Sequence, residues 1–324
     1  MTHRRPHRTT GREPLPGPQV TVSAAVAAGW SRSAQRHAVA RGDLCRPRRG
    51  VLANPLHVDA GSPEWRIREI ANLRAAQAAS LQCPRAVVSH FSAAVALGLP
   101  TFGSLDRPCL TVAAGTALRA LAGVHLHRAT LPPDDITGPG RIPVTTVPRT
   151  VMDVAREHGV VAGVVAADYA LHHGLVDRNA LAGAYELCAR WPGRKAARMT
   201  LLLADGRSES VLESVSRMRM LGQGLTAPDL QAEICDEHGR YLGRTDFYWD
   251  EYGVVGEADG ALKYRDGTPQ SWPSAPDMLS SRTPAWSWSD GAGRTSRRST
   301  RLPAACEPRS RGARGGGHPS AAGV

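Results

Sequence analysis

Three charged residues near the C-terminal end, Asp246, Glu257 and Lys263, have types and spacing that suit metal-dependent cleavage of a phosphodiester bond. Hard ions such as Mg²⁺ prefer carboxylate oxygens, so Asp246 and Glu257 could hold the metal that activates water. An ammonium group beside the scissile phosphate can orient that water, which is the role we expect for Lys263. Lysine is rare in this chain, because only Lys195 and Lys263 occur among its 40 lysines and arginines.

The elements that must position these residues are a helix and three strands. From Ser208 the pattern predicts a helix that carries Glu209 and Glu213 four residues apart on one face. The segments DLQAEICD, YLGRTDFYW and VVGEADG are typical of strands, with a hairpin turn at EHGR between the first two. This meander would bring the acids of adjacent strands together, and Glu213, or less favourably Glu209, could add an outer carboxylate from the helix.

At these residues the chain resembles the PD-(D/E)xK nuclease superfamily, and in particular the branch related to very-short-patch repair endonucleases. The resemblance covers residues 208–264 and rests on an acid in one strand that precedes an E-x-D-G segment. It implies a partial restriction-endonuclease-like α/β domain in which Asp246 and Glu257 bind Mg²⁺ and in which Glu213 and Lys263 complete the catalytic set.

One position departs from that superfamily. Asp259 stands where its members have a lysine, two residues after the glutamate. If Lys263 is a displaced equivalent, the site could act; if it is not, metal binding would survive without turnover. The alternative is that Glu257, Asp259 and Lys263 only decorate a hairpin.

A second candidate site lies near the N-terminus, where the pattern is typical of a winged helix-turn-helix. It predicts a short helix from Val20, a turn at Gly29, and a second helix that opens at Ser31 or Ser33 and ends at Gly42. Two short strand-like pieces around a basic turn follow, with the length of a wing. In such a module the second helix enters the major groove and the wing meets phosphates. We expect DNA contacts from these residues: Arg32, Gln35, Arg36 and His37 on the helix, and Arg46, Arg48 and Arg49 on the wing. The alternative is a small helical cap with a solvated arginine face.

The net charge of +11 lies at the two ends of the chain. Residues 1–50 and 265–324 are rich in arginine, whereas the region between them is close to neutral. Basic ends on a near-neutral body favour a polyanionic partner, with double-stranded DNA the leading candidate. No apolar run is long enough to cross a bilayer, and the N-terminus has no apolar signal region, so we expect a cytoplasmic protein without membrane contact.

The region between the two sites is predicted to be mainly helical with a few strands. Asp153 and Asp168 lie on helices among apolar residues, where capping or pairing with Arg149 or Arg156 is expected. The predicted elements are an amphipathic helix over 64–81, a helix capped by Ser89, strands at 109–112 and 124–127, a helix with Pro148 in its first turn, and helices over 160–172, 178–190 and 195–203.

Four histidines and six cysteines invite a metal interpretation that the neighbouring sequence does not support. His125 and His127 are two apart on a predicted strand, so their side chains point the same way, and His172 and His173 are adjacent on a helix. We expect no cysteine or carboxylate nearby to complete such a site, so we interpret all four as packed or solvated. The cysteines contain no C-x-x-C pair, which predicts neither a zinc cluster nor a disulfide scaffold, and we interpret them as reduced.

A second resemblance covers residues 20–264, with gaps. The segments GWSRSAQRHAVARGDLCRPRRGVL, VVSHFSAAVALGLP and IPVTTVPRTVMDVA, in this order, resemble actinobacterial antitoxins of the abortive-infection AbiEi type from type IV toxin-antitoxin systems. The resemblance implies an N-terminal winged helix that binds operator DNA and represses transcription, followed by a domain with the antitoxic function. It also implies a possible cognate toxin, a nucleotidyltransferase, encoded with it. The oligomeric state remains unknown at this stage.

The combined prediction is an α/β multidomain protein with disordered ends. Its expected parts are a disordered basic tail over 1–18, a winged helix-turn-helix over 19–57, an antitoxin-like and mainly α-helical middle domain over 58–205, a partial nuclease-like domain over 206–265, and a disordered low-complexity tail over 266–324. After Tyr264 the aliphatic periodicity disappears, so the segment cannot bury enough apolar surface to fold. It is either a wrong-frame translation of a GC-rich gene or a basic tail that binds nucleic acid.

Three functions therefore fit the sequence. The first is a DNA-binding regulator with an inactive nuclease-like end, the second is a Mg²⁺-dependent endonuclease, and the third is an inactive frameshifted product. We favour the regulator, because a catalytic site without the rest of its scaffold loses the positioning that catalysis needs.

Overall fold

A computed structural model describes residues 14–56, 58–59, 61–117, 120–138, 142–188 and 190–258. Within them the protein has a mixed α/β fold with nine α-helices and three separate sheets. The predicted tail over 266–324 lies outside the described residues, as do Asp259 and Lys263. In the part of the chain that the structure describes, every helix is too short or too polar to cross a membrane.

The N-terminal region is a three-stranded sheet with two short helices. Its elements are β1 (Gln19–Thr21), α1 (Val22–Ala27), α2 (Arg32–Ala40), β2 (Cys45–Arg48) and β3 (Val51–Ala53), and the antiparallel sheet has the order β1-β3-β2. The predicted helices and hairpin are present, but β1 occupies residues that we expected to begin a helix. The pairing of β1 with β3 joins the β2–β3 hairpin to the segment that leads into α1.

Local capping and a small core hold this region together. Thr21 and Ser31 are the N-caps, and each hydroxyl oxygen accepts a hydrogen bond from a backbone amide of the following turn at 3.1 Å. Gly29 provides the turn between the helices with a φ of 91°, which other residues rarely adopt. The buried core consists of Leu15, Val20, Ala25, Ala38, Leu44 and Leu52. Leu15 belongs to the segment that we expected to be disordered.

Helix α3 (Glu64–Gln82) connects this region to the next sheet, and its predicted bounds are confirmed to within one residue. Its buried face differs from the expected apolar stripe, because the buried positions are small or polar and include Asn72, Ala76 and Ala79. Trp65 and Ile67 are instead 37% and 41% exposed. The helix packs closely against its neighbours through small side chains, which leaves the large ones outside.

The middle region has one mixed five-stranded sheet with helices against it. The elements in chain order are β4 (Ala86–Val88), α4 (His90–Ala96), β5 (Cys109–Ala113), β6 (His125–Ala129), β7 (Ile136–Thr137), β8 (Val144–Thr145), α5 (Val147–His158), α6 (Val160–His172), α7 (Arg178–Cys188) and α8 (Arg194–Leu203). The strand order is β6-β5-β4-β8-β7, with parallel pairing of β5 to β6 and of β4 to β8. The predicted strands at 109–112 and 124–127 and the predicted helices are confirmed.

Helices α5, α6 and α8 pack unusually closely. A side-chain carbon at Gly163 of α6 would clash with Thr200 of α8 and Ala155 of α5, so only glycine fits there. Helix α5 begins as expected, with Pro148 in its first turn after Thr146 at the N-cap. Ser89 occupies the N-cap of α4, but its hydroxyl makes no cap bond.

The C-terminal described region is a helix followed by a meander. Helix α9 (Val211–Gly222) precedes β9 (Asp229–Cys235), β10 (Tyr241–Trp249) and β11 (Val254–Gly256), which form an antiparallel sheet in the order β11-β10-β9. The predicted helix and meander are confirmed. A buried ion pair joins α9 to α6, because Arg217 Nη2 lies 2.7 Å from Asp168 Oδ2. Arg217, rather than the expected Arg149 or Arg156, is therefore the partner of Asp168.

The cysteines correct one expectation. Cys45, Cys83, Cys109 and Cys188 are free thiols, whereas Cys235 is disulfide-bonded. The interpretation that every cysteine is reduced is therefore wrong at Cys235.

Candidate functional sites

The outer face of α2 carries a group of exposed basic side chains. Arg32, Arg36 and His37 are all exposed to solvent. Arg32 and Arg36 are one turn apart and so share a face, while Ala38 on the opposite side is buried in the core. We call Arg32, Arg36, His37, Arg46 and Arg49 the basic face.

Gln35 does not belong to the basic face. Its side chain is 1% exposed, and its Nε2 donates a hydrogen bond to the carbonyl oxygen of Trp30 at 3.0 Å. We expected Gln35 to reach a base edge, but its amide is directed inward and bridges the turn between α1 and α2. Its role in this structure is to fix that turn through the hydrogen bond to the Trp30 carbonyl.

The β2–β3 hairpin adds the other two members of the basic face. Arg46 and Arg49 are exposed, whereas Arg48 is half-buried. Arg48 Nε donates to Gln82 Oε1 of α3 at 3.0 Å, and the Gln82 amide donates in turn to the Arg49 carbonyl. Arg48 therefore anchors the hairpin to α3, which differs from the direct DNA contact that we expected of it.

Four arginines of the basic face have a positive charge that no acid among the described residues neutralises. Among the described residues, Arg32, Arg36, Arg46 and Arg49 make no ion pair with an acid, whereas nearby Arg41 pairs with Asp43 at 2.8 Å. Unpaired guanidinium groups keep their full capacity for phosphate oxygens and base edges.

The second site, which we call the carboxylate site, consists of Glu213, Gln231, Asp246 and Glu257. The sheet register pairs Thr245 with Ala232 and Phe247 with Leu230, which sets Asp246 of β10 across from Gln231 of β9. Buried Phe247 and Leu230 belong to a core that also contains Met220 of α9. This packing holds α9 beside the two strands and brings Glu213 to the same place.

Gln231 joins the two best-placed acids. Its Nε2 lies 2.9 Å from Glu213 Oε2 and 3.2 Å from Asp246 Oδ1, so one amide group donates to both carboxylates. The backbone of Gln231 has a φ of 54°, in the left-handed region that is uncommon for glutamine within a strand. Such a conformation costs on the order of 1–3 kcal/mol and is found most often at functional sites.

Glu213 also caps its own helix. Ser210 is the N-cap and accepts from the Glu213 amide at 3.1 Å, while the Glu213 carboxylate accepts from the Ser210 hydroxyl at 2.7 Å and from the Glu209 amide at 2.9 Å. This is a capping-box arrangement, which stabilises the first turn of α9. Glu213 is 7% exposed, so its carboxylate is held firmly in the site.

Glu209 is engaged elsewhere. Its two carboxylate oxygens accept from Arg244 Nη1 and Nη2 at 2.8 and 3.0 Å. This bidentate hydrogen bonding to Glu209 raises the pKa of Arg244. Glu213, and not Glu209, is therefore the helix carboxylate that meets Asp246.

The end of β11 provides the remaining part of the carboxylate site. The Ala258 amide donates to Asp246 Oδ2 at 2.8 Å, so the backbone directly after Glu257 contacts Asp246. Glu257 is exposed to solvent. Gln231 thus links Glu213 to Asp246, and the backbone amide that follows Glu257 reaches Asp246, while Lys263 lies outside the described residues. Carboxylate oxygens grouped in this way are the ligand type that suits Mg²⁺.

Sequence reasoning missed Gln231. The alternation of β9 places it on the same face as Glu233, but a glutamine in a strand is common, and no glycine or asparagine marks the left-handed backbone. Its position opposite Asp246 depends on the register, and the shift in pairing between Tyr241 and Gly243 changes that register in a way the sequence does not indicate.

The histidines also differ in part from expectation. His172 and His173 bond to backbone carbonyls at 3.0 Å, in agreement with packing. His125 and His127 lie in a cluster with Cys109, His90 and Glu157. A cysteine and a carboxylate do therefore lie nearby in space, and the expectation that none would complete the histidine pair is wrong.

Comparison with known proteins adds little about function. No family model matches the chain. Two similar proteins, Rv2248 and MT2308 of Mycobacterium tuberculosis strains, are both described as uncharacterized and are 34% identical to this chain over 108 residues. The match covers 33% of this chain and 40% of each relative.

Proposed function

We propose that this protein is a DNA-binding transcriptional regulator whose N-terminal region acts as a winged helix-turn-helix. The observation that carries the proposal is the basic face, in which four arginines of α2 and the β2–β3 hairpin point to solvent without an acidic partner among the described residues. A helix with a basic outer face fits the major groove, and a hairpin beside it can meet the phosphates.

The two parts of the basic face have different roles in this proposal. Arg32, Arg36 and His37 on α2 contact base edges and set sequence preference, because arginine can bind guanine with two hydrogen bonds. Arg46 and Arg49 on the hairpin contact phosphates, which strengthens binding to any sequence. Arg48 and Gln82 position that hairpin.

The test is a DNA-binding series with the full chain and the DNA upstream of its gene. In the Arg32→Ala plus Arg36→Ala variant, the ratio of specific to non-specific affinity should fall about 100-fold, because each base-reading arginine contributes roughly 1–3 kcal/mol. In the Arg46→Ala plus Arg49→Ala variant, both affinities should fall together. The slope of log affinity against log salt should decrease by about 1.8, or about 0.9 for each phosphate contact.

A matched control is Arg41→Ala, since Arg41 is exposed but pairs with Asp43. Its affinity should stay close to that of the unmodified protein. Binding that is absent at low salt, or that is equally reduced by Arg41→Ala, would contradict the role of the basic face.

The antitoxin resemblance extends this proposal to a partner. If the chain regulates a toxin gene, a nucleotidyltransferase gene should adjoin its own, and the protein should bind DNA upstream of the pair. Co-expression with that toxin should restore growth, and failure to restore growth would leave only the DNA-binding part of the proposal.

A second candidate function is metal-dependent DNA cleavage, which the closeness of Glu213 and Asp246 on either side of Gln231 favours. In this reading Asp246 and Glu257 bind Mg²⁺, Glu213 supports them, and Lys263 assists. A bound Mg²⁺ would lower the pKa of water and stabilise charge on the phosphate. Gln231 would have to turn its amide oxygen towards the ion, since its NH₂ group now faces both carboxylates.

We expect weak or no nicking of supercoiled plasmid by the full chain with Mg²⁺ or Mn²⁺. Robust nicking that disappears in Glu257→Ala, but persists in Glu251→Ala, would favour the endonuclease over the regulator. Glu251 is a suitable control because it is also an exposed glutamate of the same region.

A further inference from the structure

Two groups of potential metal ligands share His127 in the middle region, far from the carboxylate site in the chain. We call Cys109, His125, His127, His90 and Glu157 the histidine cluster. The parallel register pairs Cys109 of β5 with His125 of β6 and Thr111 with His127, so the sheet itself sets Cys109 and His125 side by side. His90 at the start of α4 and Glu157 near the end of α5 form the second group with His127.

The distances suit one ion. The ligand atoms of Cys109, His125 and His127 all lie within 4.8 Å of one another, and so do those of His90, His127 and Glu157. His125 Nε2 is 3.6 Å from Glu157 Oε1. Zinc binds sulfur at about 2.3 Å and nitrogen at about 2.0 Å, so side-chain shifts of about 1 Å would bring such atoms into one coordination sphere.

One atom of the cluster lacks the partner that its burial calls for. His127 Nε2 is buried and has no hydrogen-bond partner among the described residues. A buried polar atom without a partner costs roughly 1–3 kcal/mol, so it needs an explanation. The His90 ring stacks on His127 with centroids 3.6 Å apart, but stacking covers the ring face and leaves the nitrogen unsatisfied.

The backbone conformation and hydrogen bonds of His90 suit a residue that positions a ligand of the site. Its backbone φ is 51°, which histidine adopts uncommonly. Its Nδ1 lies 3.0 Å from the Ser89 hydroxyl, which accepts a hydrogen bond from Thr111 at 2.8 Å. These contacts hold the His90 ring in place against the His127 ring. Because the two rings are stacked, the orientation of the His127 ring is fixed as well.

The charges of the cluster suit a divalent cation. Imidazole nitrogens and a cysteine sulfur are donor types that zinc prefers. A bound cation removes the proton from a coordinating thiol, so Cys109 would bind as a thiolate. With one thiolate and one carboxylate, a divalent ion would leave the site without net charge.

We propose that the histidine cluster binds one ion of the zinc class through Cys109, His125 and His127, with Glu157 as the fourth ligand. Sulfur and imidazole ligands select zinc and similar ions over Mg²⁺. We assign Cys109 rather than His90 to the ion because the sheet register positions Cys109 beside His125, while His90 supports the ring of His127. The ion joins β5 and β6 to α5. It is independent of the proposed DNA binding.

The test uses the full chain after chelator treatment, titrated with Co²⁺ in excess Mg²⁺. Tetrahedral Co²⁺ absorbs visible light, and a thiolate ligand adds a charge-transfer band in the near ultraviolet. We expect saturation at one ion per chain, displacement by Zn²⁺, and a rise in Tm of roughly 5 °C with Zn²⁺.

Variants assign the ligands. His125→Ala should weaken Co²⁺ binding at least about 10-fold, and the half-exposed position of His125 means that this variant should fold. His238→Ala, which removes a more exposed histidine outside the cluster, is its control and should bind as before. Cys109→Ser should abolish the charge-transfer band, whereas Cys83→Ser, at another free cysteine, should keep it.

The His90→Asn variant separates the two possible ligand sets, because asparagine tolerates a left-handed backbone. Under the proposal it keeps the charge-transfer band. Wild-type affinity in His125→Ala, or no saturable spectrum in the unmodified chain, would overturn the site. Loss of binding in His90→Asn together with wild-type affinity in Cys109→Ser would overturn the assigned ligands.

Discussion

The buried acids of the middle region and the acids of the carboxylate site have different kinds of hydrogen-bond partner. Asp153 lies 2.8 Å from both Arg149 Nε and Arg156 Nη1, and Asp168 lies 2.7 Å from Arg217 Nη2. Among the described residues, no ion pair involves Glu213 or Asp246, which receive hydrogen bonds from amide and hydroxyl donors instead.

This difference teaches how to separate structural from functional carboxylates. Arginine neutralises Asp153 and Asp168, so their charge is already used to join helices. Neutral donors hold Glu213 and Asp246 in place but leave their negative charge uncompensated. Two adjacent carboxylates without an arginine partner offer oxygen ligands to a hard cation, and this is the physical basis for proposing a metal there.

The largest expected effect is loss of the buried pair between Asp168 and Arg217. The Asp168→Asn variant leaves Arg217 buried without an anion, and removing one partner of such a pair costs about 3–5 kcal/mol. The free energy of unfolding, measured by urea denaturation, should fall by that amount. Asp168 Oδ2 also accepts from the Ser214 hydroxyl at 2.7 Å, and an NH₂ group in its place would remove that acceptor as well.

The matched variant is Asp246→Asn, which changes the same residue type in the carboxylate site. It breaks no ion pair of the described residues, so we expect a loss below about 1 kcal/mol without added metal. Equal losses in the two variants would show that Asp246 is as structural as Asp168.

The next largest expected effect concerns the binding of divalent cations at the carboxylate site. Mg²⁺ or Mn²⁺ should raise the Tm of the unmodified protein, and Asp246→Asn should weaken the affinity at least about 10-fold, or about 1.4 kcal/mol. Asp229→Asn is the control, because Asp229 is an exposed aspartate of the neighbouring strand that pairs with Arg207. An identical response in all three proteins would remove the case for a metal at the carboxylate site.

Elements with strong local patterns were predictable from the sequence. The predicted bounds of α6, Val160–His172, are those observed, and α5 begins where proline in the first turn indicates. The two-residue strands β7 and β8 were not predicted, because a pattern of two residues is too short to recognise. Their place in the sheet depends on pairing with segments distant along the chain.

The sites likewise have parts that the sequence predicted and parts that it did not. The closeness of Glu213 and Asp246 followed from a helix and strands that are adjacent in sequence. The histidine cluster did not, because Cys109 and His125 meet only through parallel pairing, and Glu157 comes from a helix that follows two further strands. The inward side chain of Gln35 was missed because a glutamine on a basic helix favours an outward position.

The smallest expected effect concerns Glu209, the alternative helix carboxylate. Its bidentate pair with Arg244 is partly exposed, and surface ion pairs contribute about 0–1 kcal/mol, so Glu209→Gln should change the free energy of unfolding by no more than that. Because Glu209 is bound to Arg244 and Glu213 is the acid beside Asp246, Glu209→Gln should leave Mg²⁺ affinity unchanged, whereas Glu213→Gln should weaken it. Calorimetric titration of both variants measures this difference, and a greater loss of affinity in Glu209→Gln would make Glu209, with its arginine partner, the metal-binding acid of α9.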